Sequence, residues 1–163
     1  MKKVAIVMGS DSDLSTMQPC MARLKAFGLP YEVRIISAHR TPSAAEEFAY
    51  AAKDEGFGVI IAAAGKAAHL AGVLAAYTIL PVIGVPIKTS LMGGLDSLLS
   101  MVQMPKGVPV ACVAVDGAEN AAILAAQILA VSDPALSTQL GKFKGEMERD
   151  VIAKDEKIRQ EEI

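Results

Sequence analysis

Tryptophan is absent from this chain of 163 residues, and aromatic residues make up only 4% of it. A flavin-binding module needs aromatic stacking groups around its ligand, so this composition argues against one. Cysteine is nearly as scarce. Cys20 and Cys112 stand far apart and form no Cys-x-x-Cys unit, so reduced, partly buried thiols and a cytoplasmic address are expected. Basic residues form no run, and 16 of them against 18 acidic residues leave a net charge of -2. Nothing global draws such a chain to nucleic acid or to an acidic membrane. Long apolar runs are missing too. Leu70 to Ile87 carries no charge, but Pro81, Gly84 and Pro86 interrupt it, so it reads as helix, turn and buried strand rather than a membrane span. The apolar run Val4 to Met8 stops at Gly9-Ser10-Asp11 with no cleavage-like site after it, which argues against a signal peptide.

What is present is a globular composition, with 52% hydrophobic and 21% charged residues. The length suits one domain with a sizeable core. A mean hydropathy of +0.38 is high for a small monomer, and the excess is expected to lie in subunit interfaces.

Strand and helix patterns alternate along the chain. Val4 to Met8, Tyr31 to Ile36, Val59 to Ala64, Val82 to Val85 and Val108 to Val115 read as strands. Between them lie helical patterns. Leu14, Met17, Met21, Leu24 and Phe27 share one face of the first, with Pro19 predicting a kink or an irregular first turn. Thr41 is expected to cap the second, with Pro42 at its first position. An alanine-rich helix runs to Thr78, another passes through Leu95, Leu98, Leu99 and Val102, and a fifth covers Ala118 to Ala130. The alternation predicts a three-layer αβα sandwich with a parallel, flavodoxin-like sheet in the order 2-1-3-4-5. Asp133-Pro134 then starts a further helix whose stripe of Leu136, Leu140, Phe143, Met147 and Val151 has no place in a completed sandwich. The expected organisation is therefore a single domain over 1–163: a core over 1–131 and a C-terminal helix over 132–163 packing on a neighbouring subunit.

In a parallel sheet the loops after the strands share one edge, where ligands bind. Those loops hold Ser10 to Asp13, Ser37 to Thr41, Gly65 to His69, Lys88 to Ser90 and Asp116 to Asn120. Gly9-Ser10-Asp11-Ser12-Asp13 opens a helix, so its free N–H groups suit an anion, its serines a phosphate and its aspartates ribose hydroxyls. An ordinary helix cap is the competing account, and no Gly-x-Gly-x-x-Gly or Walker lysine is present. Arg40 offers a fork for phosphate; the alternative is a surface pair with Glu46 or Glu47. His39 suits proton transfer at neutral pH, although a lone histidine is more often a packing or capping group. His69 falls on the same expected edge, which favours function for both. No third ligand at a sensible spacing accompanies them, so no metal is expected. Lys66 and Lys88 are further anion contacts or solvated lysines. Gly93-Gly94 either hinges a lid or starts a helix. A phospho-receiver would need an aspartate ending the third strand, where Ala62-Ala63-Ala64-Gly65 stands.

Taken together, Gly9-Ser10-Asp11-Ser12-Asp13, Ser37-Ala38-His39-Arg40-Thr41-Pro42, Ala67-Ala68-His69-Leu70, Pro81-Val82-Ile83-Gly84-Val85-Pro86, Gly94-Leu95-Asp96-Ser97-Leu98 and Val102-Gln103-Met104-Pro105 resemble the PurE family. They are most similar to its class I, the N5-carboxyaminoimidazole ribonucleotide mutases of purine (IMP) biosynthesis. The similarity runs to about Leu129. It implies migration of a carboxylate from the exocyclic nitrogen of an aminoimidazole ribonucleotide to ring carbon four, by decarboxylation and recarboxylation, with no cofactor. It implies His39 as the acid and base, Ser10, Ser12, Asp13, Ser37 and Arg40 as substrate contacts, and His69 lining the pocket with Gly65 close to the base. It also implies a homo-octamer whose C-terminal helix reaches over neighbours.

One departure stands out. Class I members often read Ala-Gly-Gly-Ala-Ala-His where this chain has Ala64-Gly65-Lys66-Ala67-Ala68-His69. Lys66 either touches the carboxylate or points to solvent. Two alternatives remain: the class II enzyme, which carboxylates the nucleotide with free carbon dioxide, and a flavodoxin-like nucleotide-binding module without turnover. Class II typically has lysine after the second-loop histidine and lacks Ala-Ala-His, so Arg40 and His69 argue for class I.

Overall fold

The central strand β1 (Lys3–Met8) shows why the sheet is buried on both sides. Successive side chains of a strand point to opposite faces. Val4, Ile6 and Met8 enter one core, packed with Met17, Leu24, Ala122 and Leu136. Ala5 and Val7 enter the other, packed with Phe48, Phe57, Leu70 and Met101. A strand apolar at every position is thus the signature of a sheet sandwiched between helices. The computed structural model describes residues 2–67 and 69–160. Ala68, expected in the third loop, and residues 161–163, expected in the C-terminal helix, lie outside the described residues.

The sheet is parallel and five-stranded, in the order β2-β1-β3-β4-β5, as the alternation predicts. β2 spans Tyr31–Ile35, β3 Phe57–Ala64, β4 Val82–Pro86 and β5 Ala111–Cys112. β5 is much shorter than the expected Val108 to Val115. Pro109 has no N–H to give a ladder, so regular pairing begins only at Ala111 opposite Ile83. Beyond it, Val113 still donates to the Gly84 carbonyl at 3.1 Å and Asp116 to that of Pro86 at 2.8 Å. β2 forms the opposite edge and leaves Ile35 58% exposed.

Six α-helices flank the sheet among the described residues. α1 (Leu14–Ala26) runs unbroken through Pro19, and the irregularity falls earlier, in a 3-10 turn at Asp11–Asp13. Pro19 withholds an N–H only from the carbonyl of Ser15, an exposed residue. Met17, Cys20 and Leu24 are buried, whereas Leu14, expected on that face, is exposed. Burial pushes the Cys20 thiol up to about 12. α2 (Pro42–Ala51) has Pro42 in its first turn, but Thr41 does not cap it. Its hydroxyl turns back instead, accepting from the Ser37 N–H at 3.0 Å and donating to the Ser37 carbonyl at 2.9 Å.

α3 (Leu70–Tyr77), α4 (Leu95–Val102) and α5 (Ala118–Ala130) complete the sandwich. Ala118, Ala121, Ala122, Ala125 and Ala126 are all buried, and these small side chains let α5 lie close to α1 and the sheet. α6 (Pro134–Gln160) is capped by Asp133, whose carboxylate accepts from the Leu136 N–H at 3.1 Å. Its apolar stripe divides. Leu136 and Leu140 are buried on the chain's own core. Phe143 meets Phe27 edge-on at 5.4 Å, beneath Arg23, which is paired with Glu119. Met147, Val151, Ile152 and Ile158 remain exposed. Among the described residues no helix is long and apolar enough to cross a membrane.

Candidate active site

The C-terminal ends of β1, β2, β3 and β4 open onto one cleft of about 1140 Å³. From the first loop come Gly9, Ser10, Ser12 and Asp13; from the second, Ser37, His39 and Arg40; from the third, Gly65 and Lys66; and from the fourth, Lys88 and Thr89. These are the positions that topology brings to a single edge once the strands are parallel. Seven of the candidate residues meet here: Ser10, Ser12, Asp13, Ser37, His39, Arg40 and Gly65.

Hydrogen bonds set the shape of the first two loops. Ser10 Oγ accepts from the Ser12 N–H at 3.3 Å, closing the 3-10 turn, and Ser12 Oγ donates to Asp13 Oδ1 at 3.3 Å. In the second loop Ser37 Oγ accepts from the Arg40 N–H at 3.2 Å, and Thr41 fastens the other end of the turn. Arg40 does not pair with Glu46 or Glu47. Its Nη2 donates to the Gly9 carbonyl at 2.9 Å, with Nε near Ser37 Oγ at 3.4 Å. Loop two is thereby tied to loop one, and the guanidinium stays in the cleft lining with donors to spare. His39 is exposed on the same lip.

Asp13 is the one buried carboxylate among the described residues, 8% exposed and part of the cleft lining. Burial raises its pKa; the bonds from Ser12 and Ser10 pull it down, and the charge of Asp11 pushes it up further. Gly65 has no left-handed backbone, and a Cβ there would make ordinary contacts at 3.6 Å with Ile87 and Thr89. Lys66 does have a left-handed backbone, at φ 59.

Two expected groups lie elsewhere. His69 precedes α3 and is half-buried, but the ring folds back over Gly72 rather than lining the cleft. A Cβ added at Gly72 would fall 1.8 Å from His69 Nε2, so the ring occupies the space that the glycine leaves. Asp116 of the fifth loop is also outside the lining; its carboxylate accepts from the Lys88 N–H at 2.8 Å and holds the fourth loop. Residues that pattern reading missed are Thr16, one helical turn beyond Asp13, and Asp96 in the first turn of α4. Asp96 accepts from Thr89 Oγ1 at 2.6 Å. An acidic residue in the first turn of the helix after Gly93-Gly94 is the available signal for it. Gly94 itself is required: at φ 104, a Cβ would sit 3.0 Å from Val115 and 3.2 Å from the Lys88 backbone.

This arrangement offers anion donors, one buried acid and one exposed imidazole on a shared cleft. The family model described as AIR carboxylase matches residues 3–150. The chain belongs to the AIR carboxylase family. Among curated members, the N5-carboxyaminoimidazole ribonucleotide mutase of Pyrococcus horikoshii is 54% identical over 155 residues, 95% of this chain and 88% of that one. The Thermotoga maritima protein of the same name is 52% identical over 160 residues, 98% of this chain and 94% of its own. The crystal structure of Treponema denticola PurE superposes with a TM-score of 0.86 at 28% identity, covering 96% of this chain and 98% of that one. AIR carboxylase membership therefore extends across the sheet, all four cleft loops and most of α6. Among the described residues no three His, Cys, Asp or Glu side chains cluster as a metal site.

Proposed function

We propose that this chain is an N5-carboxyaminoimidazole ribonucleotide mutase of purine biosynthesis, with His39 as its proton shuttle. The observation that carries the reading is the meeting of His39 and Arg40 with the Ser10–Asp13 loop in one cleft. Arg40 and the serines Ser10, Ser12 and Ser37 take the 5′-phosphate; a charge-assisted bond of this kind is worth roughly 1.5–3 kcal/mol. Asp13 accepts from ribose hydroxyls. Gly65 leaves room for the flat base.

The reaction needs little else. The bond between the exocyclic nitrogen and the carboxylate breaks, its electron pair stays on nitrogen, and carbon dioxide is freed. Protonated His39 gives its proton to that nitrogen. Ring carbon four then attacks the carbon dioxide, and His39, now neutral, takes the proton that carbon four loses. Atoms and charge balance without a cofactor.

Carbon dioxide must not escape between the two steps, so the cleft has to be closed and dry. In the isolated chain His39 is exposed and the cleft is open to solvent. A further copy supplies the cover in our reading. The exposed Met147, Val151, Ile152 and Ile158 of α6 suit a homo-oligomer, an octamer by the resemblance to PurE. The free thiols Cys20 and Cys112 suit a cytoplasmic enzyme.

The deciding assay compares the carbamate nucleotide alone with the decarboxylated nucleotide plus bicarbonate. Conversion of the first without added bicarbonate is expected. Turnover of the second alone would make the chain a carboxylase, and turnover of neither a binding module.

A further inference from the structure

Three non-glycine residues among those described hold a left-handed backbone: Lys66, Met92 and Asp116. Such a conformation is unfavourable for a residue with a Cβ and persists only when something offsets it. For Asp116 the compensation is visible. Its carboxylate accepts from Lys88 and its own N–H donates to Pro86. Met92 lies on an exposed loop beside Gly93. Lys66 is different. Its carbonyl accepts a long bond from Ser100 Oγ at 3.4 Å, but no carboxylate among the described residues pairs with its ammonium. Yet this strained lysine lines the cleft.

Position along the sheet edge says what it could meet. Arg40 follows β2 and is tied to the loop after β1, at one end of the cleft. Lys66 follows β3, two strands from β2, roughly 10 Å further along at the usual strand spacing. A ligand whose phosphate sits on Arg40 carries its far end toward Lys66. We propose that Lys66 is a specificity-determining residue that holds the migrating carboxylate, so that the site favours the carboxylated nucleotide over the decarboxylated one. This inference rests on the mutase reading. Binding supplies a partner for an ammonium that no carboxylate among the described residues pairs with.

The test is calorimetric titration with 4-carboxy-5-aminoimidazole ribonucleotide and with 5-aminoimidazole ribonucleotide. Lys66→Met keeps the length and removes the charge; it is expected to lose about tenfold in affinity for the carboxylated ligand, about 1.4 kcal/mol, and little for the other. Lys66→Arg keeps the preference. Lys66→Gly loses it while melting at a higher temperature, because the strain is gone. Equal weakening of both ligands in Lys66→Met, or no weakening, overturns the role of Lys66 while leaving the mutase reading intact. Wild-type protein that binds neither nucleotide overturns the mutase reading and this inference with it.

Discussion

Arg40 Nη2 donates to the carbonyl oxygen of Gly9 at 2.9 Å, joining the loops that follow β2 and β1. The contact uses one of five guanidinium donors, and Nε lies near Ser37 Oγ at 3.4 Å, so further donors are left over. One side chain therefore both shapes and charges the end of the cleft proposed to take the phosphate. Arg40→Ala removes both effects. Substrate KM is expected to rise roughly 10- to 100-fold, the equivalent of a lost charge-assisted bond. A nucleoside analogue without phosphate separates the two effects. It should be bound almost equally by both proteins, and an equal loss for it would take Arg40 away from the phosphate. Arg40→Lys restores a point charge without the fork and should recover only part of the affinity.

The exposed position of His39 makes its substitution a clean experiment, since no core packing depends on it. His39→Asn keeps a polar side chain of similar size but cannot shuttle a proton. Turnover of the carbamate nucleotide should fall by about 10²–10⁴-fold or more. Melting temperature and assembly mass should stay as in the wild type. Near-normal turnover would remove His39 from the mechanism.

Much of this site can be read from the chain alone, and the exceptions share a cause. β1 and β3 are recognisable because both faces of a central parallel strand are buried, leaving an unbroken apolar run. Once the strands are parallel, Ser10, His39, Arg40 and Lys66 must reach the same edge, and they do. The pattern of apolar residues reports which side chains favour burial but not what buries them. Leu14 follows the helical period and still faces solvent, while Leu136 and Leu140 belong to the chain's own core although the stripe they start looked unpartnered. Local chemistry has the same limit. Thr41 stands where a helix cap belongs, but its hydroxyl is taken by Ser37. His69 sits at the expected rim and its ring turns onto Gly72, because a residue three positions on has no side chain. β5 is shortened by one proline that cannot donate.

Asp13 links stability to pH with a definite sign. Its carboxyl is held above the ordinary value of 3.8, chiefly by burial. The folded protein thus favours the protonated form. That contribution is complete below 3.8 and is lost as pH rises through the raised folded-state value. At pH 7 the buried charge is a cost, so Asp13→Asn should melt at a higher temperature than the wild type. The advantage should shrink as pH falls toward 3.8 and vanish below it, in paired thermal scans. A stabilisation that persists unchanged at pH 3 would assign the effect to packing rather than to charge. Affinity for the ribonucleotide should drop in the same variant, the usual exchange of function for stability at a binding site.

The division of α6 gives a sharper test of assembly than removing the helix. Cutting before Asp133 would strip Leu136, Leu140 and Phe143 from the core, and each fully buried aliphatic side chain is worth about 1.5–3 kcal/mol. Loss of the oligomer would then be hard to tell from loss of the fold. Ending the chain after Glu146 keeps those residues and the Phe27–Phe143 contact and deletes the exposed Met147, Val151, Ile152 and Ile158. The protomer should still unfold cooperatively, with a melting temperature close to its own value as an isolated subunit. Its mass by light scattering should fall below that of the full chain, and turnover should fall with it as the cleft loses its cover. If the shortened chain keeps both the full mass and full turnover, the outer half of α6 takes no part in holding neighbours together or in closing the cleft.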